Sequence, residues 1–258
     1  MTQPHVLDRF RLDGRTAIIT GAGPGIGAHV AQAFAEVGAN VVVSARTPGK
    51  AEGVAADIRS KGGNAIGMTS DCGKADDIDA LVDRCQKEFG DAHIFFHNAF
   101  VGPMPIDGSV WDTPDELWEQ AVAVNMLAPF RFAKRLVPGM KKAGYGSIIN
   151  LLTCAAFTPI QPQLAYGSTK SGLHMMTRYM AKDLGAHNIR ANCICPGSMS
   201  PDGTVNTLFA QHLQTNAIKR TGIADEVVGA ALLLASPASS YTTGQVIFCE
   251  GGRIGTIS

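Results

Sequence analysis

Residues 15–27 of this 258-residue chain read Arg15-Thr-Ala-Ile-Ile-Thr20-Gly21-Ala-Gly-Pro-Gly-Ile-Gly27 and indicate its architecture. The first six are short, apolar and rich in β-branched side chains, which predicts a buried parallel strand. The glycine-rich turn leads into helical apolar periodicity from about Ile26 to Val37. In this context a glycine turn can bind a pyrophosphate, because the backbone comes close and the helix N-terminus offers free amides. Four glycines in seven residues argue against an ordinary βα turn.

Strands and helices alternate along the rest of the chain. We predict strands at Asn40–Ser44, Asn64–Met68, His93–His97, Gly146–Leu152, Ile189–Ile194 and Gln245–Cys249, and helices at Ala51–Lys61, Ala75–Phe89, from Thr113, at Tyr166–Gly185 and at Ala224–Ala235. This alternation predicts a doubly wound parallel α/β sheet with ligands at the carboxyl ends of its strands. Because no linker or internal repeat interrupts the pattern, we expect one domain over residues 1–258.

The composition argues against several classes of partner. The 22 basic and 22 acidic residues give a net charge of zero, which disfavours nucleic acid or an anionic membrane as the main partner. The N-terminus lacks a signal pattern and no apolar run approaches membrane-spanning length, so we expect a cytoplasmic protein. The six cysteines show no Cys-x-x-Cys spacing, which predicts small buried thiols in a reducing compartment. No metal site is expected.

The end of the second strand bears on the choice of cofactor. In dinucleotide-binding folds an acidic residue about 20 positions after the glycines binds the ribose 2′-hydroxyl. Here the strand ends Ser44-Ala-Arg46, with no acid. An arginine suits a 2′-phosphate, so NADP(H) is favoured over NAD(H). The alternative is a solvated loop arginine.

The segment Leu164–Thr177 reads as the start of a helix with Tyr166 and Lys170 one turn apart on the same face. A free tyrosine, with a pKa near ~10, is a poor base at neutral pH. A neighbouring positive charge favours the phenolate, so the pair could exchange a proton near physiological pH. Taken alone, the spacing also fits two solvated surface side chains.

Two further polar residues could reach the same region. Pro129 has no N–H, so the carbonyl of Asn125, four residues earlier, loses its helical partner and could hold a water molecule. A proline kink without a chemical role is the alternative. Thr153 falls at the carboxyl end of the fifth strand, thirteen residues before Tyr166, and its hydroxyl can return to that site through the intervening loop.

Together these pieces resemble the short-chain dehydrogenase/reductase family over nearly the whole chain. The matching residues, in the family's order and spacing, are Thr20-Gly21-x-x-x-Gly25-x-Gly27, Asp71, Asn98-Ala99, Asn125, Tyr166-x-x-x-Lys170 and Pro196-Gly197. The resemblance implies a single-domain Rossmann-type fold, with a seven-stranded parallel sheet and helices on both faces. It also implies an NAD(P)(H)-dependent oxidoreductase that interconverts a secondary alcohol and a ketone.

The resemblance assigns roles residue by residue. Tyr166 would be the acid/base on the substrate oxygen, and Lys170 would lower the pKa of Tyr166 and hold the nicotinamide ribose. Thr153 stands where the family usually has serine and would hydrogen-bond the substrate oxygen. Asn125 would bind a relay water through its main-chain carbonyl. The expected cofactor-binding residues are Gly21, Pro24, Gly25, Ile26, Gly27, Arg46, Asp71, Cys72, Asn98, Tyr166, Lys170, Pro196, Gly197 and Met199.

Three departures from the family pattern concern the shape of the substrate site. The usual Asn-Asn-Ala-Gly appears as His97-Asn98-Ala99-Phe100, which places a bulky ring beside the cofactor. The usual serine is Thr153. Pro201 occupies the position of a threonine that binds the carboxamide in many members, for which Ser198, Ser200 or Thr204 could substitute.

The substrate is expected to be hydrophobic or ring-containing. An apolar pocket, partly formed by a substrate segment at about residues 198–220, could be lined by Phe100, Phe157, Ile160, Met199, Leu208, Phe209 and Leu213. The family resemblance also implies a homotetramer or homodimer built on the helices from Thr113 and Tyr166 and on the C-terminal strand. Small residues at Gly167, Ser168 and Gly172 would permit close helix packing there.

Two other classes of function stay open from the sequence. A non-catalytic dinucleotide-binding regulator could share the fold, but it would not need Thr153, Tyr166 and Lys170 together. An S-adenosylmethionine methyltransferase also uses a glycine-rich first turn, but it gives no reason for Tyr166 and Lys170 at their spacing.

Overall fold

A computed structural model of the chain describes residues 5–102, 107–200, 214 and 216–254. Its described part contains one seven-stranded sheet with the order β3-β2-β1-β4-β5-β6-β7, in which all neighbours are parallel. The strands are β1 (Thr16–Thr20), β2 (Asn40–Ala45), β3 (Asn64–Thr69), β4 (Ile94–His97), β5 (Gly146–Leu151), β6 (Ile189–Pro196) and β7 (Val246–Cys249). The predicted Rossmann-type fold class is confirmed.

Helices cover both faces of the sheet. They are α1 (Ile26–Glu36), α2 (Lys50–Ser60), α3 (Ala75–Phe89), α4 (Asp115–Val122), α5 (Ala128–Ala143), α6 (Leu164–Leu184) and α7 (Val228–Ala235). Neighbouring residues of β4 point to opposite faces, as the pleat requires. Phe96 meets Phe34 of α1 edge-on at a centroid distance of 6.4 Å, and Phe95 stacks on Phe132 of α5 at 4.6 Å. Two large apolar cores, one on each face, therefore hold the helices to the sheet.

Helices α4 and α5 are joined by a π turn over Ala123–Leu127. The N–H of Ala128 donates to the carbonyl of Ala123, five residues earlier. Pro129 follows directly and cannot donate to Asn125, so the wider turn lies where a regular α-helical bond is missing. The predicted irregularity at Pro129 is thus a π turn within a continuous helical segment. Asn125 lies in this π turn and is completely buried.

The order of the strands reverses between β1 and β4, which lie side by side although 77 residues separate paired positions such as Ala17 and Ile94. In open α/β sheets ligands bind in the crevice at such a reversal. The loops after the two strands touch closely: a Cβ on Gly21, whose φ is +66°, would lie 2.7 Å from the Ala99 backbone. Asn98 locks this contact, because its Nδ2 donates to the Gly21 carbonyl at 2.7 Å.

The cysteines and histidines form no special centre in the part of the chain that is described. All six thiols are free and five are buried, which confirms the prediction of buried thiols for those five, and Cys249 is half-buried. No group of three His, Cys, Asp or Glu side chains among the described residues could hold a metal ion. None of the described helices is long and apolar enough to cross a bilayer.

Candidate active site

A cleft of about 580 Å³ opens at the carboxyl ends of β1, β4, β5 and β6. The structure brings together there most of the residues that were predicted to bind a cofactor: Gly21, Pro24, Gly25, Ile26, Asn98, Tyr166, Lys170, Pro196, Gly197 and Met199. A second cavity of about 200 Å³ shares Gly21, Asn98 and Phe100 with the first and contains the predicted Arg46, Asp71 and Cys72. The two cavities therefore form one groove across the reversal point of the sheet.

The glycine turn fits a diphosphate in the middle of this groove. Gly25 precedes α1 with a φ of 135°, and no side chain caps the first turn of the helix. The free N–H groups of a helix N-terminus bind anions. Gly27 does not line the groove. A Cβ at that position would lie 2.9 Å from Asn98 Nδ2 and the Gly21 carbonyl, so Gly27 is needed for packing beneath the turn.

The smaller cavity contains three of the predicted cofactor-binding residues, Arg46, Asp71 and Cys72. Arg46 follows β2 directly and is exposed, and no hydrogen bond or ion pair to another described residue holds its guanidinium. Asp71 accepts a hydrogen bond from the Gly73 N–H at 2.9 Å, which fixes the loop beside the cavity. Burial raises the pKa of the Cys72 thiol to about 12, so it stays protonated. Thr47 and Ser70 also line this cavity, and the sequence did not single them out.

Tyr166 and Lys170 line the far end of the larger cleft, and Thr153 lies beside Tyr166. Lys170 is only 1% exposed, and its Nζ donates to the Leu151 carbonyl at the end of β5 at 2.7 Å. The same Nζ lies 5.9 Å from the centroid of the Tyr166 ring. The Thr153 side chain lies near enough to the Tyr166 hydroxyl to lower the pKa of that group, and Thr153 Oγ1 accepts from the Ala155 N–H at 3.4 Å. The helical spacing of Tyr166 and Lys170 thus yields one grouped set with the strand-end threonine.

The pKa values of this set differ from the expectation based on charge alone. Burial raises the pKa of Tyr166, and the neighbouring Thr153 side chain acts in the opposite direction. Burial also lowers the pKa of Lys170 to about 7, so much of its charge is lost at neutral pH. The net shift of the Tyr166 pKa is upward in the protein alone, because desolvation disfavours the charged form. The lowering of this pKa by Lys170 stays a prediction. Tyr166 keeps its proton at neutral pH.

Asn125 uses its side chain to tie three elements together. Its Oδ1 accepts from the Val101 N–H at 3.0 Å, and its Nδ2 donates to the Val101 carbonyl at 3.1 Å. Nδ2 also donates to Thr169 Oγ1 of α6 at 3.0 Å. Asn125 thereby links the π turn to the loop after β4 and to the helix that carries Tyr166. The binding of a water by its main-chain carbonyl stays a prediction.

His97 is a buried bridge at the base of the cleft. Its Nε2 lies 3.1 Å from the Val124 carbonyl, which can only accept, so Nε2 carries the proton. Its Nδ1 then accepts from the Thr20 hydroxyl at 3.1 Å. Burial, with a smaller contribution from nearby Lys170, lowers the pKa of His97 to about 3. The ring is neutral and connects β1, β4 and the π turn.

The expected apolar lining is only partly present in the cleft. Phe100 and Met199 line it, and the Phe100 ring lies 5.8 Å from that of Tyr166. Phe157 does not, because it packs against His174 and Phe248 beside a separate apolar cluster. Ile160 lines another cavity, near the start of α6. The expectation for these two residues is wrong. Pro201, Thr204, Leu208, Phe209 and Leu213 lie outside the described residues.

Two of the residues that could replace the carboxamide-binding threonine lie in different cavities. Ser200 lines the cleft, and its hydroxyl lies 3.1 Å from that of Thr221. Ser198 lines a different cavity behind Gly197. Ile223 and Asp225 complete the open side of the cleft, although the sequence did not point to them. Asp107, which contacts the backbone of Tyr166, was also missed, because its partners are far away in sequence.

Comparison with known proteins places this geometry in a family. The family model described as "Enoyl-(Acyl carrier protein) reductase" matches residues 21–253. A short-chain type dehydrogenase/reductase from Mycobacterium marinum superposes with a TM-score of 0.88, at 32% identity over 97% of this chain and 99% of that one. This chain belongs to the short-chain dehydrogenase/reductase family. It is an NAD(P)-dependent oxidoreductase, and the family that its motifs resemble is confirmed.

Two further similar proteins are known with bound ligands. The 7alpha-hydroxysteroid dehydrogenase of Escherichia coli (strain K12) is 35% identical over 252 residues, 96% of this chain and 97% of the relative. A solved 7alpha-hydroxysteroid dehydrogenase holds NADH and 7-oxo glycochenodeoxycholic acid, with a TM-score of 0.88 and 98% coverage of both chains. A gluconate 5-dehydrogenase from Burkholderia cenocepacia J2315 holds NADP and tartrate. It is 31% identical, with a TM-score of 0.90 over 98% of this chain and 100% of that one.

Proposed function

We propose that this member of the family is an NADP(H)-preferring enzyme that interconverts a secondary alcohol and a ketone on a hydrophobic or ring-containing substrate. The observation that carries the proposal is that Tyr166 and Lys170 line one end of a groove that begins at the glycine turn, with Thr153 beside Tyr166. A regulator without turnover would gain nothing from burying a lysine there, because burying a charged group costs free energy.

The residues divide the chemistry between them. The nicotinamide, when bound, supplies or accepts the hydride. Tyr166 gives its hydroxyl proton to the ketone oxygen during reduction and removes it from the alcohol during oxidation. Because burial raises the pKa of Tyr166, the proton is in place for reduction at neutral pH. Thr153 holds the substrate oxygen beside Tyr166, and Lys170 binds the nicotinamide ribose.

The character of the cleft supports a hydrophobic substrate. Beside Tyr166 the lining includes Phe100, Leu152, Met199 and Ile223, all with apolar side chains. Phe100 is half exposed on the cleft side, where a flat apolar ring system could stack on it. A similar protein is named for a hydroxysteroid, and a solved 7alpha-hydroxysteroid dehydrogenase holds 7-oxo glycochenodeoxycholic acid, which agrees with a ring-containing substrate.

The NADP(H) preference rests on Arg46 in the smaller cavity. Its guanidinium, which no other residue in the described ranges holds, can form charge-assisted hydrogen bonds with a 2′-phosphate. Such bonds contribute about 1.5–3 kcal/mol, or roughly 10- to 100-fold in affinity. Similar enzymes hold either NADP or NADH.

A substrate and cofactor panel tests both parts of the proposal. We expect NADPH-linked reduction of bicyclic and steroid ketones, with kcat/KM for NADPH at least about 10-fold above that for NADH. Arg46→Ala should remove this preference by lowering kcat/KM for NADPH alone. Arg59→Ala, a control at an exposed arginine paired with Glu52, should leave the ratio unchanged. Turnover confined to sugar acids, or a wild-type preference for NADH, would contradict the respective part.

We also propose a cytoplasmic, one-domain protein that assembles into a homotetramer or homodimer. Apolar side chains stay exposed on the helical segments expected at the interface: Leu127 in the π turn, Phe130 on α5, and Met175 and Tyr179 on α6. Phe248 of β7 is exposed as well. Two of the expected small residues also have close neighbours within the chain. A Cβ on Gly167 would meet the Ala155 carbonyl at 2.9 Å, and one on Gly172 would meet Met126, so both glycines permit packing within the chain.

Light scattering after size exclusion tests the assembly. The wild type should elute at two or four times the chain mass of 27.1 kDa. Phe130→Asp should shift it to smaller species, because a charge would be buried at the interface. Val6→Asp replaces another exposed apolar residue away from these helices and should not change the mass. A wild-type monomer at micromolar concentration would exclude the assembly.

A further inference from the structure

The backbone of Tyr166 lies in the first turn of α6, where a helix has free N–H groups. The residue that precedes the helix, Gln163, makes no side-chain cap. A carboxylate from another part of the chain takes that place. Asp107, in the loop between β4 and α4, is only 6% exposed and points at these amides.

The Asp107 carboxylate accepts three backbone hydrogen bonds. Oδ1 accepts from the N–H of Ala165 at 3.2 Å and from that of Gly108 at 3.0 Å. Oδ2 accepts from the N–H of Tyr166 itself at 3.0 Å. A carboxylate at a helix N-terminus also interacts favourably with the helix dipole. A residue 59 positions earlier therefore holds the amide of the acid/base tyrosine.

The carbonyl side of the same residue is held by a second contact. Thr169 Oγ1 donates to the carbonyls of Ala165 and Tyr166 at 2.8 and 3.1 Å. Asn125 donates to that oxygen in turn. In addition, a Cβ on Gly102 would come within 2.9 Å of the Tyr166 Cβ, so the loop before Asp107 packs directly on the tyrosine. The Tyr166 backbone is thus fixed at its N–H, at its carbonyl and at its Cβ.

We propose that Asp107 is a positioning residue for the proton transfer, and that it acts through the Tyr166 backbone. The inference rests on the proposed function of Tyr166. Asp107 lies outside the groove, since it lines neither of the two cavities that form it. Its carboxylate sets where the first turn of α6 begins and therefore where the Tyr166 hydroxyl lies relative to Thr153. A displacement of about 1 Å at a reacting group can cost on the order of 100-fold in rate.

Asp107→Asn is the discriminating variant. The amide is almost the same size, but its nitrogen cannot accept, so one oxygen must serve N–H groups that two oxygens served before. We expect kcat for ketone reduction to fall by roughly 10- to 100-fold. The KM for the ketone and the Kd for NADPH should change less than about threefold, because the cleft walls are unchanged. Hydrogen exchange of the Ala165 and Tyr166 amides should become at least about 10-fold faster.

A matched control separates positioning from loss of stability. Ile78→Val removes one buried methylene group from α3, away from the cleft, and should lower Tm while leaving kcat within about twofold. If Asp107→Asn keeps kcat within twofold of wild type, Asp107 is only a structural cap and the proposal fails. An equal loss of kcat in Asp107→Asn and Ile78→Val at matched Tm would also overturn the proposal.

Failure of the proposed function would give a different result. In that case the wild type itself would turn over no alcohol or ketone in the panel, and kcat could not be compared. Exchange of the Ala165 and Tyr166 amides still decides the inference. Unchanged exchange in Asp107→Asn would refute the hold on the Tyr166 backbone, whereas faster exchange limited to this turn would support it.

Discussion

Tyr166→Phe is expected to lower kcat for ketone reduction by at least about 10³-fold, since positioned acid/base groups contribute roughly 10²- to 10⁴-fold. The variant removes one oxygen and leaves the ring, which lies 5.8 Å from Phe100, in its place. Binding of NADPH should change less than about threefold, because the Gly21 turn and Arg46 are untouched. Loss of absorbance from the reduced cofactor measures the rate, and fluorescence titration measures the affinity.

Tyr179→Phe provides a matched control for this result. Tyr179 lies on the same helix, its side chain is exposed, and it lines neither cavity of the groove. The control should retain wild-type kcat. Turnover of Tyr166→Phe within tenfold of wild type would show that another group supplies the proton, and the role given to Tyr166 would be wrong.

Lys170→Met should have two opposite effects: kcat/KM falls by at least about 10²-fold, while the cofactor-free protein becomes more resistant to unfolding. Burial lowers the pKa of Lys170 to about 7, whereas an unfolded lysine titrates near its ordinary value of 10.5. Below about pH 7 the folded protein must bury the full charge, so the cost to stability is greatest there. The cost decreases as pH rises from 7 to 10.5, where the unfolded chain also loses its proton.

The variant should therefore gain Tm most at pH 6–7, by at least about 3 °C. The gain should shrink steadily towards pH 10. Loss of the bond from Nζ to the Leu151 carbonyl opposes the gain by about 1 kcal/mol at every pH. Lys182→Met, at an exposed lysine of the same helix, is the control and should show no such trend. A Tm difference that does not depend on pH would mean that Lys170 keeps an ordinary pKa in the folded chain.

The local parts of the site were predictable because their signals are local. Four glycines between a strand and a helix specify the turn at Gly21–Gly27, and a four-residue spacing places Tyr166 and Lys170 on one helix face. Alternating apolar periodicities were enough for the parallel sheet. Pro129 indicated an irregular helical turn, because a proline has no N–H and so removes one helical hydrogen bond wherever it occurs in a helix.

The rest depends on contacts between distant residues. The Asp107 carboxylate meets α6 across 58 residues, and no spacing rule connects the two. The charge states of Tyr166 and Lys170 follow from burial, which a one-turn spacing does not reveal. Phe157 was misassigned because the residue type alone does not show whether an apolar side chain lies in a core or in a cleft.

The position of the groove at the junction of β1 and β4 links cofactor supply to the lifetime of the protein. Its walls come from both halves of the sheet, with Gly21 on one side and Lys170 and Pro196 on the other. A chain in which only one half of the sheet is folded therefore has no complete site. A dinucleotide that binds only the native chain displaces the unfolding equilibrium by mass action. At a concentration one hundred times its Kd, it adds about 2.7 kcal/mol. Depletion of the dinucleotide would thus stop catalysis and also make the protein more susceptible to proteolysis.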